Sequence, residues 1–285
     1  MTDAKEPSRP LPPLRDVIEA HGLAAKKTLG QHFLLDLNIT RKIVRLAGVN
    51  ASDAALEVGP GPGGLTRAIL ETGARLTAIE RDNRCEPLLR ELSAAFDDRL
   101  SIVLEDALAA DERAHVSAPV KILSNLPYNI STPLLIKWIK ANHQDAAPLW
   151  SVMALMFQKE VADRILAAPG GKAYGRLSII AQAGARPERG FDLPARAFTP
   201  PPKVDSTVVI FHPRHADRDG LARLEAIAKA AFAQRRKMLR ASMKSLWGAQ
   251  AEDRLRGADI DPGARAEDLT VNDYKRLANF QGHDG

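Results

Sequence analysis

Ala54-Ala55-Leu56-Glu57-Val58-Gly59-Pro60-Gly61-Pro62-Gly63-Gly64-Leu65-Thr66 is the stretch on which the reading of this chain turns. Residues 54–58 are apolar enough for a buried strand, and the pattern from Leu65 to Glu71 is that of an amphipathic helix. The glycines between them let the backbone turn tightly and approach a ligand closely. The helix start beyond them offers unpaired N–H groups. Gly59, Gly61 and Gly64 satisfy G-x-G-x-x-G, the spacing of a nucleotide-cofactor loop. An acid that could hold a ribose follows at Glu80, 21 residues after Gly59 and at the end of the next apolar run. These features alone leave nicotinamide, flavin and S-adenosyl cofactors open.

Working outward, short runs rich in Val, Ile and Leu at Ala54–Val58, Arg75–Glu80, 100–104, 120–123 and 152–157 read as strands. Amphipathic stretches at 65–71, 87–96 and 133–139 lie between them. Strands apolar on both faces, alternating with helices, indicate a doubly wound α/β domain with a mostly parallel sheet. Residues 207–211 add a β-branched run, and 174–185 reads as helix or strand. After His212-Pro213 the pattern changes to a helical stripe over 221–246, so residues 213–285 are read as a small all-helical C-terminal domain. Residues 1–20, with Pro7, Pro10, Pro12 and Pro13, are read as a flexible Pro-rich tail, and 21–212 as the catalytic domain.

The chain has 285 residues, of which 45% are hydrophobic and 26% charged, enough to bury one large core and a satellite. The longest apolar run, 149–157, is too short to span a bilayer, and no apolar stretch follows the charged N-terminus, so the expected location is the cytoplasm. Cys85 is the only cysteine, which excludes an internal disulfide and a cysteine-cluster metal site, and no metal is expected. Net charge is +5. Between Leu221 and Trp247, however, seven basic residues (Arg223, Lys229, Arg235, Arg236, Lys237, Arg240, Lys244) face one acid, Glu225, a local net of +6. Such a stretch suits a polyanionic partner or a solvated helix face.

Two further acidic features tilt the cofactor toward S-adenosylmethionine. Glu57 stands two residues before the first glycine, and Glu105-Asp106 ends the third strand, where a carboxylate can accept from an adenine amine. Each would be disfavoured beside a pyrophosphate. Ser124-Asn125-Leu126-Pro127-Tyr128 then follows the fourth strand at the carboxyl edge of the sheet, with Thr132 and Pro133 read as the cap and first residue of the next helix. An Asn-Leu-Pro-Tyr loop has a chemical logic for methylating an exocyclic amine, whose lone pair is delocalised into the base. The Asn125 amide oxygen and the Leu126 carbonyl can each accept one N–H, Pro127 fixes φ, and Tyr128 can stack on the base, a contact worth about 1–3 kcal/mol.

With these motifs in order, the sequence resembles the rRNA adenine N6,N6-dimethyltransferases, specifically their bacterial small-subunit group. The resemblance runs from Lys26 to about Arg240. Besides the motifs above, it rests on Lys26-Lys27-Thr28-Leu29-Gly30-Gln31-His32-Phe33-Leu34, residues 157–162, residues 174–178, Phe198 with residues 200–206, and Arg235-Arg236-Lys237-Met238-Leu239. It implies a Rossmann-like class I S-adenosylmethionine-dependent methyltransferase. His32, Leu34, Gly59, Gly61, Glu80, Asp106 and Asn125 would contact the cofactor, Glu80 through the ribose and Asp106 through the adenine. Position 32, often Asn in relatives, is His here. Phe198 would be a second stacking wall beside Asn125, Leu126, Pro127 and Tyr128.

The resemblance further implies that the substrate is a pair of adjacent adenines in a hairpin near the 3′ end of 16S rRNA, flipped out within a small-subunit particle. Lys26, Lys27, Lys203, Arg235, Arg236, Lys237 and Arg240 would track its phosphates. Three rivals stand beside this reading: a dinucleotide-dependent oxidoreductase, a large-subunit rRNA methyltransferase of the antibiotic-resistance type, and a non-catalytic assembly factor. No coiled-coil seam is visible, and a monomer is expected.

Overall fold

The computed structural model describes residues 7–8, 10–25, 30–144, 147–214, 218–234 and 236–280. In chain order the elements are α1 (Leu14–Ala20), β1 (Phe33–Leu34), α2 (Leu37–Leu46), β2 (Ala54–Val58), α3 (Gly64–Leu70), β3 (Arg75–Glu80), α4 (Glu86–Ala95), β4 (Leu100–Leu104), β5 (Val120–Ser124) and α5 (Tyr128–Gln144). There follow β6 (Trp150–Gln158), α6 (Lys159–Leu166), α7 (Arg176–Gly184), β7 (Ala185–Leu193), β8 (Phe198–Thr199), β9 (Ser206–Pro213), α8 (Arg218–Phe232), α9 (Leu239–Ser242), α10 (Lys244–Trp247), α11 (Ala251–Gly257) and α12 (Val271–Asn279).

The chain divides into two compact units. The first, made of the chain up to Trp138 with Ala147–Lys159 and Glu188–His212, carries a seven-stranded sheet in the order β4-β3-β2-β5-β6-β9-β7. Strands β4, β3, β2, β5 and β6 run parallel, and β9 is antiparallel to β6. The central strands are apolar on both faces because helices cover both, and Leu56, Ile122 and Leu155 are wholly buried. The strand order reverses between β2 and β5, so the crevice for a ligand opens at their carboxyl ends.

Helix α5 begins at Tyr128, not after Thr132, and Pro133 lies inside it. The Pro127 carbonyl starts the helix by accepting from the Ile130 N–H at 3.1 Å, and the Ser131 hydroxyl donates to the Tyr128 carbonyl. Pro133 falls early enough to cost one backbone donor without ending the helix. One turn on, the Lys137 ammonium and the Trp138 indole both donate to the buried Glu112 carboxylate, at 2.9 and 2.6 Å, fixing α5 to the connection between β4 and β5.

Residues 14–20, read above as part of the tail, form helix α1, with Leu14 buried. The four prolines mask this from a composition reading, but the segment is tethered by backbone: the Ser8 N–H and hydroxyl both donate to the Ala95 carbonyl, and Arg67 donates to the Pro12 carbonyl at 2.6 Å.

The second unit joins Pro213–Gly285 to Ile139–Ala146 and Glu160–Pro187, so more than the segment after 213 belongs to it. Residues 174–185, left open above, supply α7, whose buried Ile179, Ile180 and Ala183 face explains its continuous apolar pattern. Tyr174, Phe232 and Tyr274 form a ring cluster at its centre, with centroids 6.4 and 6.3 Å apart. The stripe read over 221–246 is not one helix: α8 ends at Phe232, and Leu239 and Arg240 donate backbone N–H groups to the Ala264 and Pro262 carbonyls. That tertiary pairing turns the chain where periodicity alone would continue it.

Candidate active site

A cleft of about 1120 Å³, counting its open mouth, lies in the first unit at the carboxyl ends of β2, β3, β4 and β5. Its floor is the glycine loop. Gly61, at φ +53°, donates its N–H to the Glu80 carboxylate at 3.0 Å, which only a left-handed residue can do here without strain. A Cβ on Gly64 would sit 2.5 Å from the Leu34 carbonyl, so the two-residue strand β1 can lie against the start of α3 only because that residue is glycine.

Carboxylates ring this floor. Glu80 also accepts from the Asp82 N–H at 2.8 Å, yet burial is the larger influence and pushes its carboxyl above the ordinary range. Glu57 is buried beneath the loop and accepts from the Thr66 hydroxyl at 2.7 Å. Desolvation raises it to about 8, the Thr66 bond opposes, and the nearby Glu80 charge adds to the rise. Asp82 goes the other way, to about 2, chiefly through its hydrogen bonds to Arg84; the Gln31 amide adds a bond at 3.1 Å. Asp106 accepts from the Leu108 N–H at 3.0 Å and pairs with the exposed Arg81 at 3.1 Å.

The Asn125–Tyr128 loop forms the opposite wall. The Ser124 hydroxyl donates to the Val58 carbonyl, clamping the ends of β5 and β2 together where the loop departs. The Asn125 amide nitrogen donates to the His32 carbonyl at 2.9 Å. The Tyr128 hydroxyl shares a hydrogen bond with Ser206 at 2.8 Å, and burial raises its pKa. Its ring stacks on the His32 imidazole with centroids 5.7 Å apart, and His32 Nδ1 donates to the Pro200 carbonyl at 2.8 Å.

His32, Leu34, Gly59, Gly61, Glu80, Asp106, Asn125, Leu126, Pro127 and Tyr128 all line this one cleft. Phe198 does not. It is 3% exposed, pairs across from the cleft residue Leu34 in the β1–β8 ladder and packs in the core, and the ring stacked on Tyr128 is that of His32. An aromatic type alone does not tell a wall from a core ring. Lys203 in the first unit and Arg236, Lys237 and Arg240 in the second are exposed, whereas Lys26, Lys27 and Arg235 lie outside the described residues. Sequence reading missed Gln31, Thr66, Arg81, Pro200 and Ser206. All but Arg81 lie inside quoted motifs, and Arg81 adjoins Glu80, but none of the five was assigned a role there.

Among the described residues no group of His, Cys, Asp and Glu could hold a metal ion, and no helix is long and apolar enough to cross a membrane.

The family described as ribosomal RNA adenine dimethylase matches residues 22–282. The chain is 57% identical over 273 residues to ribosomal RNA small subunit methyltransferase A of Phenylobacterium zucineum, covering 94% of this chain and 92% of that one. Among solved structures it is similar to a dimethyladenosine transferase from Plasmodium falciparum (TM-score 0.73, 26% identity, 86% of this chain and 96% of that one). It is also similar to the 23S rRNA methyltransferase ErmE (TM-score 0.64, 25% identity, 86% and 98% covered).

Proposed function

The chain belongs to the ribosomal RNA adenine dimethylase family, and from that premise we propose that it dimethylates N6 of two adjacent adenosines in the 3′-terminal hairpin of 16S rRNA. It would act as a cytoplasmic monomer on the small subunit or its precursor and contribute to that particle's biogenesis. The observation that carries this reading is the orientation of Asn125. Its nitrogen is committed to the His32 carbonyl, so the oxygen is the atom left to accept from an amine in the cleft.

The cleft suits S-adenosylmethionine. Gly59, Gly61 and Gly64 give a floor on which β1 packs so closely that a Cβ at Gly64 would meet the Leu34 carbonyl, and Glu80 keeps lone pairs beyond those taken by Gly61 and Asp82. Glu80 would hold the ribose, Asp106 the adenine, and the backbone of the 32–34 segment the remaining side. When bound, that cofactor supplies an electrophilic methyl group on a sulfonium. The chain's residues do the rest by position and charge. Asn125 Oδ1 and the Leu126 carbonyl accept the two N6–H groups of the target, which draws the nitrogen lone pair out of conjugation. Tyr128 stacks on the extruded base. No side chain is needed as base, because the amine is acidic once it has been methylated.

Exposed Lys203, Arg236, Lys237 and Arg240, with Lys26, Lys27 and Arg235, would bind rRNA phosphates. The test is incubation with isotopically labelled S-adenosylmethionine and ribosomal subunits lacking the modification, followed by mass spectrometry of digested rRNA. Labelled N6,N6-dimethyladenosine confined to the small subunit is the expected result. Label in the large subunit would redirect the substrate, and no label with intact binding of cofactor and particle would leave an assembly factor.

A further inference from the structure

We propose that His32 is a positioning residue for the target base: its imidazole backs the Tyr128 ring and holds it where an extruded adenine stacks. The proposal rests on the adenine-methylation reading above and assigns the His32 side chain to the substrate side of the cleft, whereas the resemblance assigns that position to the cofactor.

Three contacts carry it. The His32 and Tyr128 rings are stacked, 5.7 Å between centroids and 29° between planes, within the range of an offset aromatic pair. The imidazole is itself held: a carbonyl only accepts, so Nδ1 carries the hydrogen toward Pro200 at 2.8 Å, which ties the ring to the segment leading into β9. The same β9 segment supplies Ser206, which holds the Tyr128 hydroxyl. Tyr128 is therefore fixed at its tip and on one face, and the face away from His32 is the one a base can take. Gly30 brings the 30–34 segment into register for this. At φ +63° it lies so close to the loop that a Cβ would be 3.3 Å from Asn129 Oδ1 and 3.5 Å from Pro127 Cβ.

One residue thus serves both working members of the loop by different parts of itself. The His32 carbonyl orients Asn125, and any residue at 32 would keep that bond. The ring supports Tyr128, and only an aromatic replacement keeps that support.

The experiment compares the full chain with His32→Ala, His32→Phe and His32→Asn. It measures S-adenosylmethionine affinity by calorimetry, and kcat and KM for methylation of small subunits lacking the modification. His32→Ala is expected to lower kcat/KM for the particle by about tenfold, the scale of one base-stacking contact, with cofactor affinity near that of the wild type. His32→Phe restores most of the loss. His32→Asn, which offers the Pro200 carbonyl a donor but no ring, does not. A cofactor affinity that falls in step with activity in His32→Ala overturns the proposal, as does rescue by Asn and not by Phe. Should His32→Ala fail to fold, the contrast between Phe and Asn decides the same point. A wild-type chain that transfers no methyl overturns the methylation reading and the proposal with it, whereas a defect confined to cofactor binding in an active enzyme overturns the proposal alone.

Discussion

The Asn125 side-chain nitrogen donates to the His32 carbonyl at 2.9 Å, and this one bond sets which end of the amide is left free in the cleft. Asn125→Ala removes the acceptor for N6–H, and Asn125→Asp sets a carboxylate oxygen against the His32 carbonyl, which turns the group away. Both variants are expected to lose about 100-fold or more in single-turnover methyl transfer, the scale of removing one preorganised polar contact in an active site. Calorimetric S-adenosylmethionine affinity stays near wild type, because Glu80, Asp106 and the glycine loop are untouched. Near-normal transfer by Asn125→Ala would contradict the mechanism.

Glu57 makes the apo protein's stability depend on pH. Burial raises its carboxyl from 4.5 to about 8, so the folded chain keeps a proton that the unfolded chain releases. The stability this group contributes is fully present below its ordinary value and is lost as pH rises through about 8. Glu57→Gln keeps an acceptor for the Thr66 hydroxyl and does not titrate. Thermal unfolding midpoints of the wild type should therefore fall relative to those of the variant from about pH 5 to about pH 9. Glu80, raised in the same direction, remains in both proteins and drops out of the difference. A difference curve that stays flat would show that Glu57 is ionised in the fold.

How much of this was legible beforehand depended on range. Strands β2, β3 and β4 end where the apolar runs end, because a short run of β-branched and aliphatic residues is a property of the segment itself. Glu57, Glu80, Asp106 and Asn125 were legible too, since each sits at the end of such a strand and the doubly wound topology gathers those ends. The core packing of Phe198 and the contacts of Pro200 and Ser206 were not legible, because their positions come from the β1–β8 ladder and from β9 lying beside β6, pairings between residues far apart in sequence. Helix α1 was lost among prolines for the same reason. What anchors the segment around it is the bonding of Ser8 to the Ala95 carbonyl and of the Pro12 carbonyl to the Arg67 guanidinium, which leaves no pattern in residues 7–20.

Gly64 and Leu14 test whether that N-terminal segment supports the cofactor floor. A Cβ at 64 would stand 2.5 Å from the Leu34 carbonyl and 3.4 Å from Leu14 Cδ1. Gly64→Ala must push β1 off the start of α3 and is expected to cost about 1–3 kcal/mol, as overpacking does, and to abolish S-adenosylmethionine binding. Leu14→Ala is expected to cost about 2–4 kcal/mol as a buried truncation. The closer obstacle at 64 is backbone, so the double variant gains no relief and the two costs add. Urea unfolding of the four proteins checks this, and rescue of Gly64→Ala by Leu14→Ala would place the crowding on the side chain instead.

The basic stretch makes its prediction through salt. Arg236, Lys237 and Arg240 are exposed on the connection and short helix that follow α8, next in sequence to Arg235. Each phosphate they neutralise releases condensed counterion, which adds about 0.7–0.9 to the slope of log affinity against log salt. Replacing Arg235 and Arg236 with Gln should lower that slope for small-subunit binding by between about 1 and 2, without changing cofactor affinity. Lys203→Gln, in the other unit, should lower it by at most about 1. Binding to the particle across a salt series measures all three proteins in one assay. An unchanged slope in the double variant would mean that the charge at 235 and 236 faces water, and the search for the rRNA contact would move to Lys203 and the first unit.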